Sequence, residues 1–142
     1  MPGQRPPKDD QLLSERDILN ILGDLDLAPG SYWLVMGAAL VLHGVRDVTI
    51  DVDLAASDEL FRHLVETGYE PALSRGGRPK ITLTDNVAAY KDWTPSSWTA
   101  IGGVQVASLE SIIEEKSVLS RPKDLSDIEA IRGHRARRSS AS

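Results

Sequence analysis

Residues 32–54 read YWLVMGAALVLHGVRDVTIDVDL, and the reading of this stretch decides the fold. Tyr32 to Met36 is a short continuous apolar run of the kind that suits a strand buried on both faces. Gly37 is expected to end that strand. Ala38 to His43 carries β-branching only at Val41 and reads as a helix. Thr49 to Leu54 then alternates, and its β-branched residues favour a second strand.

Side chains at i and i+2 of a strand share a face, so Asp51 and Asp53 are expected to project together. Two carboxylates at that spacing repel unless a cation neutralises them. Mg²⁺ does so through oxygen ligands and commonly brings phosphates into the same site. Ions bridged by aspartates can position an in-line phosphoryl or nucleotidyl transfer. The competing reading is an edge strand with one wet face, on which both aspartates are simply solvated. Upstream, the backbone at Gly37 can approach a phosphate closely, and the helix after it starts with the end that favours anions.

Working outward, Ser14 with Asp17 forms a capping-box pattern that opens a helix ending between Gly23 and Gly30. Ser57 begins a helix through about Gly68. Ser74 to Lys80 reads as a flexible basic loop. Ile81–Thr84, an Asp85-Asn86 turn and Val87–Trp93 resemble a β-hairpin. Val104 to Ala107 forms a strand entered through Gly102-Gly103, and Ser108 caps a helix to about Ser120. Pro122 breaks the chain, and Ser126 with Glu129 caps a last short helix to about Arg132. The expected class is α/β (α+β), a small mixed sheet flanked by helices. Residues 1–10 are expected to be a disordered leader, 11–132 the domain, and 133–142 a basic disordered tail.

The chain has 142 residues, enough for a single core, and a formal net charge of −5. That balance argues against broad affinity for nucleic acid or anionic membranes. There are no cysteines, which excludes disulfides, thiolate metal sites and cysteine nucleophiles and fits a cytoplasmic setting. The longest apolar stretch, Trp33 to Leu42, is about half of what a bilayer requires. No membrane association is expected.

The run MGAALVLHGVRDVTIDVDL resembles the signature of nucleotidyltransferases of the DNA polymerase β superfamily, in particular the AbiEii/MenT-type and minimal bacterial enzymes. These commonly read like G-G-x-A-L-x-L-H-G-x-R-x-T-x-D-I-D-L. A second resemblance lies in EEKSVLSRPKDLSDIEAI, where Lys116, Arg121, Lys123, Asp124 and Asp127 match a helix lysine followed by R-x-K-D-x-x-D. The resemblance implies a nucleotidyltransferase-like fold and a Mg²⁺-dependent transfer of a nucleoside monophosphate from an NTP to a hydroxyl acceptor: tRNA, a protein or a small molecule. It also implies a setting in toxin–antitoxin systems or phage defence. Asp51 and Asp53 would hold Mg²⁺, and Gly37 with Ala38 would contact the triphosphate. Lys116, with Arg121 and Asp127, would lie on the nucleotide side, and Asp124 or Asp127 would complete the far wall. A solvated lysine on an amphipathic helix is the other reading of Lys116, and a helix cap that of Asp124.

For His43 and Arg46 a structural role, packing or pairing with a carboxylate, is preferred over catalysis. Trp93 and Trp98 flank a loop and either stack on a base or pack in the core.

The chain departs from that pattern at two places. Ala38 stands where relatives carry glycine or serine. The strand that usually supplies a third carboxylate reads NVAAYKDW, with Ala88 or Tyr90 at the acid's place. Asp92 is the preferred substitute because it shares strand parity with them, and Asp85 in the turn is the other. Without a third acid the alternative is a catalytically degenerate binding or regulatory protein: an antitoxin, an immunity factor or a phage accessory protein. Larger relatives carry the acceptor surface in a helical region, so either the acceptor is small or a homo-oligomer or a protein partner would supply that surface.

Overall fold

The computed structural model describes residues 12–119 and 121–141. The expected leader lies outside them. Helix α1 (Glu15–Leu25) opens on the capping box read from the sequence: Ser14 Oγ accepts from Asp17 N, and the Asp17 carboxylate accepts from Ser14 N at 2.9 Å. Strand β1 (Tyr32–Val35) runs into α2 (Met36–Leu42), which carries buried residues from Ala38 to Leu42. The reversal falls on Met36, which takes a left-handed φ of 57°, and not on Gly37. A left-handed side-chain-bearing residue costs about 1–2 kcal/mol, and here it releases Gly37 for a different demand described below.

Strand β2 (Val52–Ala56) starts three residues later than the alternation suggests. Thr49 pairs instead with Leu13, through Leu13 N–H to Thr49 O at 2.7 Å and Thr49 N–H to Leu13 O at 3.0 Å. That pairing pulls the chain out of the sheet before Asp51, so only Asp53 belongs to the strand. Helix α3 (Asp58–Glu66) follows, with Ser57 Oγ accepting from Leu60 N.

Strands β3 (Ala72–Leu73) and β4 (Pro79–Thr84) enclose residues 74–78, so most of the expected loop is the turn of a hairpin. Strand β5 (Val87–Tyr90) returns from the Asp85-Asn86 turn and stops three residues short of Trp93, because Asp92 adopts φ 58° and turns the chain away. Strand β6 (Trp98–Ile101), not foreseen, pairs with β7 (Val104–Ala107) around Gly102 and Gly103, both at positive φ. Trp98 packs at a tilt against Trp33, ring centroids 5.4 Å apart, and stays half exposed.

Helix α4 (Leu109–Leu119) is capped by Ser108, whose Oγ accepts from Ser111 N. Helix α5 spans Pro122–Ala141. Pro122 therefore opens a helix, as its fixed φ favours in a first turn, and Asp124 accepts from Arg121 N at 3.2 Å to close the end. Ser126 lies inside α5 and caps nothing, and the basic stretch from Gly133 continues the helix instead of forming a tail.

Among the described residues there are seven strands and five helices in a mixed α/β arrangement, with strand order β3-β4-β5-β2-β1-β7-β6. Strand β2 is central: it runs antiparallel to β1 and parallel to β5. The wet edge-strand reading of the aspartates is thereby overturned. Leu34, Val52, Leu54, Ile81 and Val106 fill the sheet's buried faces, with Ile18, Leu40 and Ile131 packed from the helices. Among the described residues, no helix is long and apolar enough to cross a membrane.

Candidate functional site

Asp53 stands on the central strand, beside Val35 on one side and Ala88 on the other. Asp51 precedes it on the segment that the Leu13–Thr49 pairing holds. The two aspartates still meet, because both line one cleft of about 360 Å³. Facing them in that cleft are Arg46, Lys116, Arg121, Lys123 and Asp127, and Gly37 forms part of the floor. Two acids, Asp53 on β2 and Asp51 just before it, thus share the cleft with four cations, Arg46 from the α2–β2 segment and three from the α4–α5 region.

Asp53 is largely buried, and this burial, followed by the charge of Asp51, raises its carboxyl to about 6. Lys80, a hydrogen bond from the Tyr90 hydroxyl and Lys123 act the other way. The same neighbourhood holds Tyr90 up to about 12, chiefly through burial and then through the charge of Asp53. A second cleft of about 240 Å³ opens on the other side of the aspartates, lined by Lys80, Thr82, Thr84, Asp85, Ala88 and Tyr90 among others.

The far wall is an ion-pair cluster. Lys116 is only 2% exposed, with Nζ 2.8 Å from Asp127 and 3.5 Å from Asp124. The solvated-lysine reading is excluded. Asp124 is fully buried and takes two hydrogen bonds from the Arg121 guanidinium, at 2.6 and 3.1 Å. Those bonds come first among the influences that hold its carboxyl below the usual range. Asp124 thus acts as cap and anchor, and Asp127 is the acid that reaches the cleft. Arg46 Nη2 completes the wall, 3.5 Å from Asp127.

Gly37 is required by close approach. A Cβ there would lie 2.7 Å from Thr49 Oγ1 and 2.8 Å from Arg46 Nη1. The side chain of Ala38 points into the core, fully buried, and does not line the cleft. His43 Nε2 donates to Ala107 O at 2.8 Å, consistent with a structural role. Asp92 is not brought to the pair: it lines a separate cavity with Phe61, Val65 and Pro79. Asp85, the other residue considered for the third acid, lines the second cleft with both aspartates. Trp93 packs edge-on to Tyr90 with the Arg78 guanidinium 4.5 Å above its ring.

Sequence reasoning missed Tyr90 as a partner of Asp53 and missed the apolar rim of the cleft, Leu12, Val48 and Ile50. The alternation that placed Ile50 in a strand concealed the rim. Among the described residues, no group of three or more His, Asp or Glu side chains is arranged to hold a metal ion. A Mg²⁺ held by one or two carboxylates that completes its shell with water and phosphate oxygens needs no such group. The donor chemistry of Asp51 and Asp53 fits that mode, and the cations opposite fit the phosphates. Compared with known proteins, the chain matches no family model, no curated protein and no solved structure.

Proposed function

We propose that the protein is a Mg²⁺-dependent nucleotidyltransferase that binds an NTP in the cleft between Asp51/Asp53 and the α4–α5 cluster. The observation that carries this reading is the gathering, in one cleft, of Asp51 and Asp53 with Arg46, Arg121 and Lys123, beside the buried Lys116. A triphosphate needs both: cations for its oxygens, and carboxylates for the metal that travels with it. Bound Mg²⁺ would draw charge from the phosphate oxygens and favour attack at phosphorus.

Asp51 and Asp53 would hold that ion, and Arg46, Arg121 and Lys123 would take phosphate oxygens. Lys116, fixed by Asp127 and Asp124, sets the charge of the wall. In the transfer the acceptor oxygen forms a bond to the α-phosphorus, the bond from that phosphorus to the bridging oxygen breaks, and pyrophosphate leaves. The hydroxyl proton passes to a carboxylate, for which Asp85 is the candidate of the second cleft. The acceptor is a hydroxyl of tRNA, a protein or a small molecule, in a toxin–antitoxin or phage-defence setting.

Calorimetry with each NTP and Mg²⁺ tests binding, and α-labelled NTP with total tRNA and cell extract tests transfer. Loss of Mg²⁺-dependent binding in Asp51→Asn and Asp53→Asn is expected. Failure of the unaltered protein to bind any NTP would sink the reading. Ala88 opposite Asp53, with a Tyr90 hydroxyl where an acid would serve, favours a second reading: NTP binding without transfer, in a regulatory protein. Binding without pyrophosphate release would decide for it.

A further inference from the structure

The cleft has a third kind of wall. Leu12, Val48 and Ile50 line it together, and each stays well exposed for a large apolar residue, at 44%, 37% and 43%. They come from two separate parts of the chain. The paired backbone bonds between Leu13 and Thr49 bring Leu12 beside the 48–50 segment, so the grouping is built by the fold. Met36, next to Gly37 in the floor, extends the apolar surface inward.

Isolated exposed apolar side chains are ordinary, whereas several gathered at the mouth of a highly charged cleft mark a ligand surface. The charge pattern says which ligand. A molecule that satisfied only the cations and the carboxylates would leave this shelf wet. One that carries a flat, weakly polar group on the same skeleton as its phosphates would cover it.

We infer that Leu12, Val48 and Ile50 form the base-binding shelf of the cleft, against which the nucleobase of a bound NTP lies by its face. The inference rests on the nucleotidyltransferase reading above and adds its selectivity. None of the three side chains has a hydrogen-bonding group, so the shelf reads area and not the pattern of donors and acceptors on the base edge. Purine triphosphates then bind a few-fold tighter than pyrimidine ones, with little distinction between adenine and guanine.

The test compares NTP with inorganic tripolyphosphate, both with Mg²⁺, by calorimetry on the full chain. The readout is the ratio of their affinities. A ratio of about tenfold in favour of ATP (about 1.4 kcal/mol) is expected in the unaltered protein. It should fall to near one in Ile50→Ser and in the double variant Leu12→Ser/Val48→Ser. Equal binding of ATP and tripolyphosphate by the unaltered protein overturns the shelf and leaves the triphosphate site standing. So does a ratio that survives both variants, or a preference for a pyrimidine over both purines. Binding of neither compound overturns the nucleotidyltransferase reading, and the shelf with it.

Discussion

Lys116 Nζ lies 2.8 Å from Asp127 Oδ2, with the lysine almost wholly removed from solvent. A buried ammonium persists only with its counter-charges in place, and here Asp124 and Asp127 supply them. Helices α4 and α5 are therefore joined by charge as well as by packing. Lys116→Met leaves Asp127 without its nearest cation and strips one partner from buried Asp124. The expected loss is about 3 kcal/mol of unfolding free energy, read as a lowered urea midpoint with an unchanged slope.

Asp53 gives the fold an unusual response to pH. The folded chain keeps the Asp53 proton up to about 6, while the unfolded chain releases it near 4. The folded state binds more protons between those values, so stability falls as pH rises from about 4 to about 6 and levels off above. Asp53→Asn is expected to abolish that slope and to be more stable than the parent at pH 7 by roughly 2–3 kcal/mol in EDTA. Chemical denaturation at a series of pH values checks it.

Gly37 has no room for a side chain. In Gly37→Ala the new methyl must displace both Thr49 Oγ1 and the Arg46 guanidinium, and the Thr49 backbone is tied to Leu13. The Arg46 guanidinium is thereby pushed from its place beside Asp127. The expectation is a loss of about 1–3 kcal/mol, together with weakened NTP binding, measured by thermal denaturation and calorimetry.

Ala88 lies directly beside Asp53 in the parallel register of β2 and β5. Ala88→Asp adds a carboxylate to a pair already in repulsion. The variant should lose about 1–2 kcal/mol in EDTA and recover more stability than the parent when Mg²⁺ is titrated in. A thermal-shift series against Mg²⁺ measures the difference, and equal responses of the two proteins would refute it.

The sequence spoke most clearly where local rules acted alone. The Ser14–Asp17 box, the Ser57 and Ser108 caps and the Asp85-Asn86 turn each depend on a few adjacent residues and lie where expected. It misled where a distant residue intervened. The start of β2 moved because Thr49 found Leu13, and Asp92 left the site because the chain turned at that residue. Asp124 and Lys116 could each be read two ways from sequence, since burial decides between them and depends on how α4 meets α5. Pro122 separates α4 from α5 as expected, but the same ring also opens the second helix, which therefore starts before Ser126.

The pairing of Leu13 with Thr49 is made entirely by main-chain atoms. The bonds themselves ask only for an N–H and a carbonyl at each position, so the clasp leaves no signature in composition, although the side chains of Leu13 and Thr49 are themselves buried. Proline at either position would open it, because that residue brings no N–H. The segment carrying Val48, Ile50 and Asp51 would then lose its fastening to the start of α1, with every side chain of the cleft still present.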